Sequence, residues 1–244
     1  VKALDNPEQS VRHAALTAIG ETVDLPRLNI LVAKVLAPKN ADDAPIAQAA
    51  LKAASVRMPD RDAAATELAA ALEKAPEATK VLLLEILGEV GGAKALKTLA
   101  SAAKSEDLTL QDAGSRLLGK WNSVDAAPVL IDLAKTGPAA QFRIRALRGY
   151  IGLVRKFAMP DPQRAEMLQT ALDLSKQPAE QKLVLGVLTL HPSKEGLAIA
   201  IATMKIAELK DDATQAVLVI AQRVSSKGVD GSDMIAKAGF EKEK

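Results

Sequence analysis

Two histidines, three pairs of neighbouring carboxylates and one run of arginines are the side chains here with chemistry to offer. His13 and His191 would serve as a metal or acid–base pair only if the fold brought them together. Each sits in a different copy of a repeated helix, and both read as surface or turn residues. The pairs Asp42-Asp43, Glu106-Asp107 and Asp211-Asp212 have the chemistry of an acid and a base, or of a cation site. All three stand just before amphipathic segments, which favours their other use: capping a helix and meeting its dipole. Asp230-Gly231-Ser232-Asp233 resembles part of a calcium loop but lacks the further ligands and closing Glu, so a turn into a short helix over 232–238 is expected. The chain has no cysteine, which excludes disulfides, thiolate metal sites and Cys nucleophiles. Gly88-Glu89-Val90-Gly91-Gly92 is not followed by the Lys-Ser/Thr pair of a phosphate loop. Neither a Gly-x-Ser-x-Gly elbow nor a His-Glu-x-x-His zinc motif occurs. No catalytic, cofactor-binding or metal-binding residue is expected.

The basic run is different. Arg145, Arg148 and Lys156, with Arg155 beside them, fall on one face of a helix beginning near Gln141, and Arg143 and Arg164 extend it. Such a face suits an acidic partner or a phosphate. The competing reading is a solvated face that pairs with carboxylates on neighbouring repeats. Aromatic residues make up only 2% of the chain and the formal net charge is +2, so the interleaved rings and basic excess of a nucleic-acid binder are missing. Trp121 and Tyr150, the single Trp and Tyr, are expected to pack between repeats.

The elements that must position these residues recur. Ser10-Val11-Arg12-His13-Ala14-Ala15-Leu16-Thr17-Ala18-Ile19-Gly20 is an amphipathic segment with Arg near its start and an aliphatic-Gly pair near its end. Related segments run over 45–57, 78–92, 108–121, 141–152, 179–191 and 211–224, at intervals of about 31 to 40 residues. Pro7, Pro45, Pro76, Pro138 and Pro178 stand before five of these helices, where the missing N–H of proline is not needed. Asp107 and Asp211 take that place in two copies without proline. Asn6-Pro7 is the expected start of the first. Partner helices are predicted to begin at Asp24, Asp60, Gly91-Gly92, Ser123, Asp161-Pro162 and Ser193. Two helices per unit mean helical hairpins, and no alternation long enough for a strand is present. Ile144, Leu147, Ile151 and Val154 form one apolar stripe, with Leu130, Leu133 and Ala134 as its expected contacts. Val81, Leu83, Leu84, Ile86 and Leu87 cover more than one face, so that helix should be buried on both sides. Gly20, Gly88 and Gly119 are expected to end or tighten their helices through positive φ.

Val11-Arg12-His13-Ala14-Ala15-Leu16, Leu84-Glu85-Ile86-Leu87-Gly88 and Ala126-Ala127-Pro128-Val129-Leu130-Ile131-Asp132-Leu133-Ala134 resemble HEAT repeats, in the short bacterial form also called PBS-lyase-type. The resemblance implies an all-α fold, an α-α superhelix of about seven helical hairpins. It covers residues 1–225, with the first repeat incomplete. Residues 226–244 are expected to form a turn, a short helix and a polar tail leading to a further region. Arg145-Ala146-Leu147-Arg148-Gly149-Tyr150-Ile151 with Phe157-Ala158-Met159-Pro160-Asp161 is similar to HEAT segments of large bacterial multidomain proteins, beside sugar-hydrolase-like or membrane-bound dehydrogenase-like modules. The sequence lacks a starting Met and a signal peptide, so it is read as a piece of a longer protein, cytoplasmic or exported. The expected function is a non-catalytic scaffold for protein interaction. It would act as a monomer on a protein partner or on neighbouring domains of the same chain, through Arg143, Arg145, Arg148, Arg155 and Lys156. A structural spacer between catalytic modules and a DNA-binding or base-removing enzyme are the alternatives. No apolar run reaches the roughly 18 residues that would span a bilayer.

Overall fold

A computed structural model describes residues 2–226. Thirteen α-helices occur among the described residues: α1 (Gln9–Thr22), α2 (Asn29–Leu36), α3 (Ala44–Arg57), α4 (Arg61–Lys74), α5 (Glu77–Val90), α6 (Gly92–Ala102), α7 (Leu108–Leu118), α8 (Ala127–Thr136), α9 (Ala140–Lys156), α10 (Asp161–Leu174), α11 (Pro178–Leu190), α12 (Lys194–Thr203) and α13 (Lys210–Ser226). There is no strand among them, and the fold is all-α. The odd-numbered helices are the seven motif helices. Each packs on the even-numbered helix before it, giving six hairpins from α2/α3 to α12/α13. The 3₁₀ turn Lys2–Asp5 packs on α1. The short helix expected over 232–238, the Asp230–Asp233 turn and the polar tail lie outside the described residues.

The chain divides into two compact units, Val1–Leu118 and Gly119–Lys244. In the first, α1, α3, α5 and α7 lie side by side, and α2, α4 and α6 form the second layer. In the second, α9, α11 and α13 lie side by side and are backed by α8, α10 and α12. The start signals hold their register. Proline occupies the first turn of α3, α8, α10 and α11, and Pro76 is the N-cap of α5. Asp60 and Ser193 cap α4 and α12, accepting from the N–H of Ala63 and Gly196. At the first motif, Asn6 Oδ1 accepts from the N–H of Glu8 at 2.8 Å, and α1 begins at Gln9, two residues beyond Pro7.

The cores follow the stripes. Leu147, Ile151 and Val154 are buried against α8, whose Leu130 and Leu133 are buried in turn. Leu83, Leu84, Ile86 and Leu87 are all buried because α5 packs on α3, α4, α6 and α7 together. Trp121 and Tyr150 are buried as well. Trp121 Nε1 donates to Asp125 Oδ1 at 3.0 Å. Burial, with some help from the Glu166 charge, pushes the Tyr150 phenol pKa up.

Two expectations are corrected. The first concerns glycine. Positive φ occurs only at Gly91 (71°) and Gly92 (86°) among the described residues, where α5 turns into α6. Gly20 and Gly88 lie inside their helices. Gly20 is there for close approach: a Cβ on it would stand 2.8 Å from the Ala50 Cα of α3. Gly119 and Gly149 meet in the same way, with the Gly119 Cα 2.9 Å from where a Gly149 Cβ would be. Small residues at the contact let helix axes come closer than the usual 8–10 Å.

The second concerns the carboxylates. Asp107 does cap α7, accepting from the N–H groups of Thr109 (2.7 Å) and Leu110 (3.2 Å). Asp43 does not cap α3, which has no side-chain cap. It instead accepts from Arg12 Nε at 2.8 Å and Nη2 at 3.1 Å, one repeat away. Arg12 spends its remaining nitrogen on the carbonyls of Asn6 and Pro7. The motif arginine thus ties its own helix start to the next repeat. His13 belongs to the same cluster, with Nε2 3.2 Å from Asp43 Oδ1, and is not a plain surface histidine. Asp211 and Asp212 fall in the first turn of α13, where Asp212 meets Lys182 at 2.9 Å.

The Arg12 guanidinium holds the Asp43 carboxyl below its ordinary value, with Asn40 adding to the effect. A carboxylate whose pKa falls on folding adds stability above its unfolded pKa of about 3.9 and loses it as pH drops through the folded value. Asp43→Asn should therefore melt below the wild type at pH 7, and the gap should close below about pH 4. Thermal midpoints measured from pH 7 to pH 2 check this. A gap that stays constant over that range would contradict it.

Candidate interaction groove

In the second unit, α9, α11 and α13 present one face of each helix to the same groove, about 660 Å³ in volume. On α9 the lining residues Arg148, Gly152 and Arg155 follow at i, i+4 and i+7; on α11, Lys182, Gly186 and Leu190 follow at i, i+4 and i+8. Those spacings place each set on a single helix face. On α13, Asp212, Val219 and Arg223 complete the lining. Leu183 and Leu190 are exposed at 43% and 49%, an apolar content that surrounding water does not favour.

Gly152 and Gly186 form the bare part of the floor. Both are exposed and both lie inside a helix. A Cβ added to either would meet nothing within 4 Å. Neither is needed for helix packing, unlike Gly20 or Gly149. Each costs its helix roughly 1 kcal/mol relative to alanine.

The cations of the groove are held to different degrees. Arg148 donates from Nε (2.9 Å) and Nη2 (2.7 Å) to a single oxygen, Oε1 of Glu180. Glu180 is 1% exposed, and its Oε2 has no hydrogen-bond partner among the described residues. Lys182 is paired with Asp212. Arg223 Nη1 donates to the Thr189 carbonyl at 2.9 Å, satisfying an oxygen at the end of α11. The Arg155 side chain has no hydrogen-bond or ion-pair partner among the described residues; only its carbonyl is engaged, by His191 Nε2 at 2.9 Å. Four cationic side chains thus face a groove whose own exposed carboxylate is Asp212.

The basic residues singled out from the sequence are not one surface. Arg148 and Arg155 line the groove. Arg143 points elsewhere: its Nη1 donates to Gly137 O at 2.8 Å, and it lines a separate cavity of about 120 Å³. Arg145 lies over the Phe142 ring, 5.7 Å from its centroid. Lys156 donates to Asn122 Oδ1 and sits 5.7 Å from the Phe157 ring. Arg164 does not extend the face. It is 6% exposed, donates to the carbonyls of Val154 and Phe157 at the end of α9, and burial lowers its pKa. Lys182, Leu183, Gly186, Leu190 and Arg223 were not visible as site residues. The one signal for them was the pair Gly152 and Gly186, set one repeat apart at the same helix position.

His13 is in the first unit and His191 in the second. No group of three His, Asp or Glu is placed to hold a metal among the described residues. No helix among them is long and apolar enough to cross a membrane.

Compared with known proteins, a family model for HEAT repeats matches residues 65–150, a stretch running from α4 into α9. No curated protein matches the sequence. HEAT repeats are helical scaffolds that commonly mediate protein interactions, and the family is generally non-catalytic. The matched stretch carries HEAT repeats, and helical hairpins of the same register lie on either side of it.

Proposed function

We propose that this protein is a non-catalytic interaction module that docks a partner protein in the groove formed by α9, α11 and α13. The observation that carries this reading is the pair of exposed helix glycines, Gly152 and Gly186, which no packing contact requires. A helix gives up propensity at such positions when something must approach its backbone. The exposed Leu183 and Leu190 beside them, and cations at both ends of the floor, make a surface of the kind seen at interfaces: apolar in the centre and charged at the rim. Stacked hairpins lend themselves to this use because neighbouring repeats extend one binding surface.

A photo-crosslinking amino acid at the exposed Leu183 of the full chain tests the reading, with position 166 as the control. Glu166 is exposed on α10, in the other layer. In extracts of cells expressing the protein, a discrete crosslinked protein is expected from position 183 and not from position 166. Equal labelling at both positions, or none at either, would contradict an interaction role for this groove.

A further inference from the structure

The groove's chemistry selects the occupant. Resting on the interaction reading above, we infer that the partner contributes an acidic segment with one or two bulky apolar side chains, which sit on the Gly152–Gly186 shelf while its carboxylates meet Arg155 and Arg223.

The shelf is the apolar half of the argument. Gly152 and Gly186 leave open space above their Cα atoms, and Leu183, Leu190 and Val219 border it. A leucine-sized side chain entering there removes its own surface and that of Leu183 and Leu190 from water. Nothing within the described residues fills the space.

Charge is the other half. Arg148, Arg155, Lys182 and Arg223 line the groove, against Asp212. Arg148 and Lys182, at one end, are neutralised by Glu180 and Asp212. At the other end no carboxylate answers Arg155 or Arg223: Arg155 has no partner among the described residues, and Arg223 meets only a carbonyl. A basic or neutral segment would leave both guanidinium groups uncompensated as water is displaced, whereas a carboxylate pairs with either in a bidentate fork. The end of the groove near Arg155 and Leu190 is also where α9 and α11 finish. Arg155 and Arg223 there offset the negative helix ends, which keeps the site hospitable to an acidic ligand. Spanning three neighbouring helices at an axis spacing of about 8–10 Å takes roughly 16–20 Å. That is about six residues of extended chain.

The probes are three fluorescein-labelled eight-residue peptides: alternating Glu and Leu, alternating Lys and Leu, and alternating Glu and Ser. Fluorescence anisotropy with the full chain should show binding of the Glu–Leu peptide alone, weakening as salt is raised. Gly186→Leu and Arg155→Glu should each weaken it about tenfold or more. Because a Cβ at position 186 meets no atom, Gly186→Leu should melt at or above the wild-type temperature, so its loss of binding is not a loss of fold. The inference is overturned if the Lys–Leu peptide binds as well, if the Glu–Ser peptide binds equally, if Gly186→Leu leaves the affinity unchanged, or if no peptide binds. Should no peptide bind while position 183 still crosslinks to a protein, the acidic assignment fails and the interaction module stands. Should both experiments fail, both readings fall.

Discussion

Phe142→Ala is expected to destabilise the second unit by about 3–5 kcal/mol, the usual range for removing a buried phenylalanine. Phe142 is 1% exposed and heads the fully buried side chains by size. The chain has only three Phe, one Tyr and one Trp, and its core is otherwise aliphatic and alanine-rich. Phe142 stands in the first turn of α9, the helix that joins α8, α10 and α11. Arg145 also rests over its ring, a contact worth about 0.5–1 kcal/mol at an exposed site. Losing the ring should therefore loosen the start of α9 first. Amide hydrogen exchange should show lost protection in α8 and α9, and chemical denaturation should give the magnitude. A cost under about 1 kcal/mol would contradict the packing described here.

Gly114→Ala should cost about 1–3 kcal/mol, as overpacking does, although alanine is the better helix former by roughly 1 kcal/mol. A Cβ at position 114 would lie 2.6 Å from the Ala103 nitrogen and 2.9 Å from the Leu99 carbonyl oxygen. Both are backbone atoms of the α6 end, and neither can turn aside. Helix α7 must retreat from α6, and the buried Leu99 and Ala102 lose contact. Thermal denaturation reads the effect directly; an unchanged or higher midpoint would show that α6 and α7 do not approach as described.

The repeat itself was legible because its signals are local. A proline or acidic residue before each motif helix, and an apolar stripe within it, depend on a few neighbouring residues. They placed both layers of helices. Much of what stayed hidden depends on the partner repeat, some 31 to 36 residues away. Asp43 looked like a cap because it precedes α3; its real partner, Arg12, is one repeat earlier. The arginines of α9 looked like one basic face because they share a helix. The structure sends Arg143 to its own turn, Arg148 to a buried glutamate and Lys156 to Asn122. Glycine was the hardest to read. Gly20, Gly91 and Gly186 are the same letter in the sequence, yet one allows helix contact, one allows positive φ, and one touches nothing. The three uses differ only in what the fold places around each glycine.

The central claim is that the α9–α11–α13 groove is kept open for a partner and not for packing. Its most direct test is one variant, Gly186→Leu, carrying a photo-crosslinker at the neighbouring exposed Leu183, measured beside the same crosslinker in the wild-type chain. The expected result is a melting temperature equal to or above wild type together with a collapse of the crosslink to the partner. A lowered melting temperature, or a crosslink yield that survives the filled shelf, would contradict the claim.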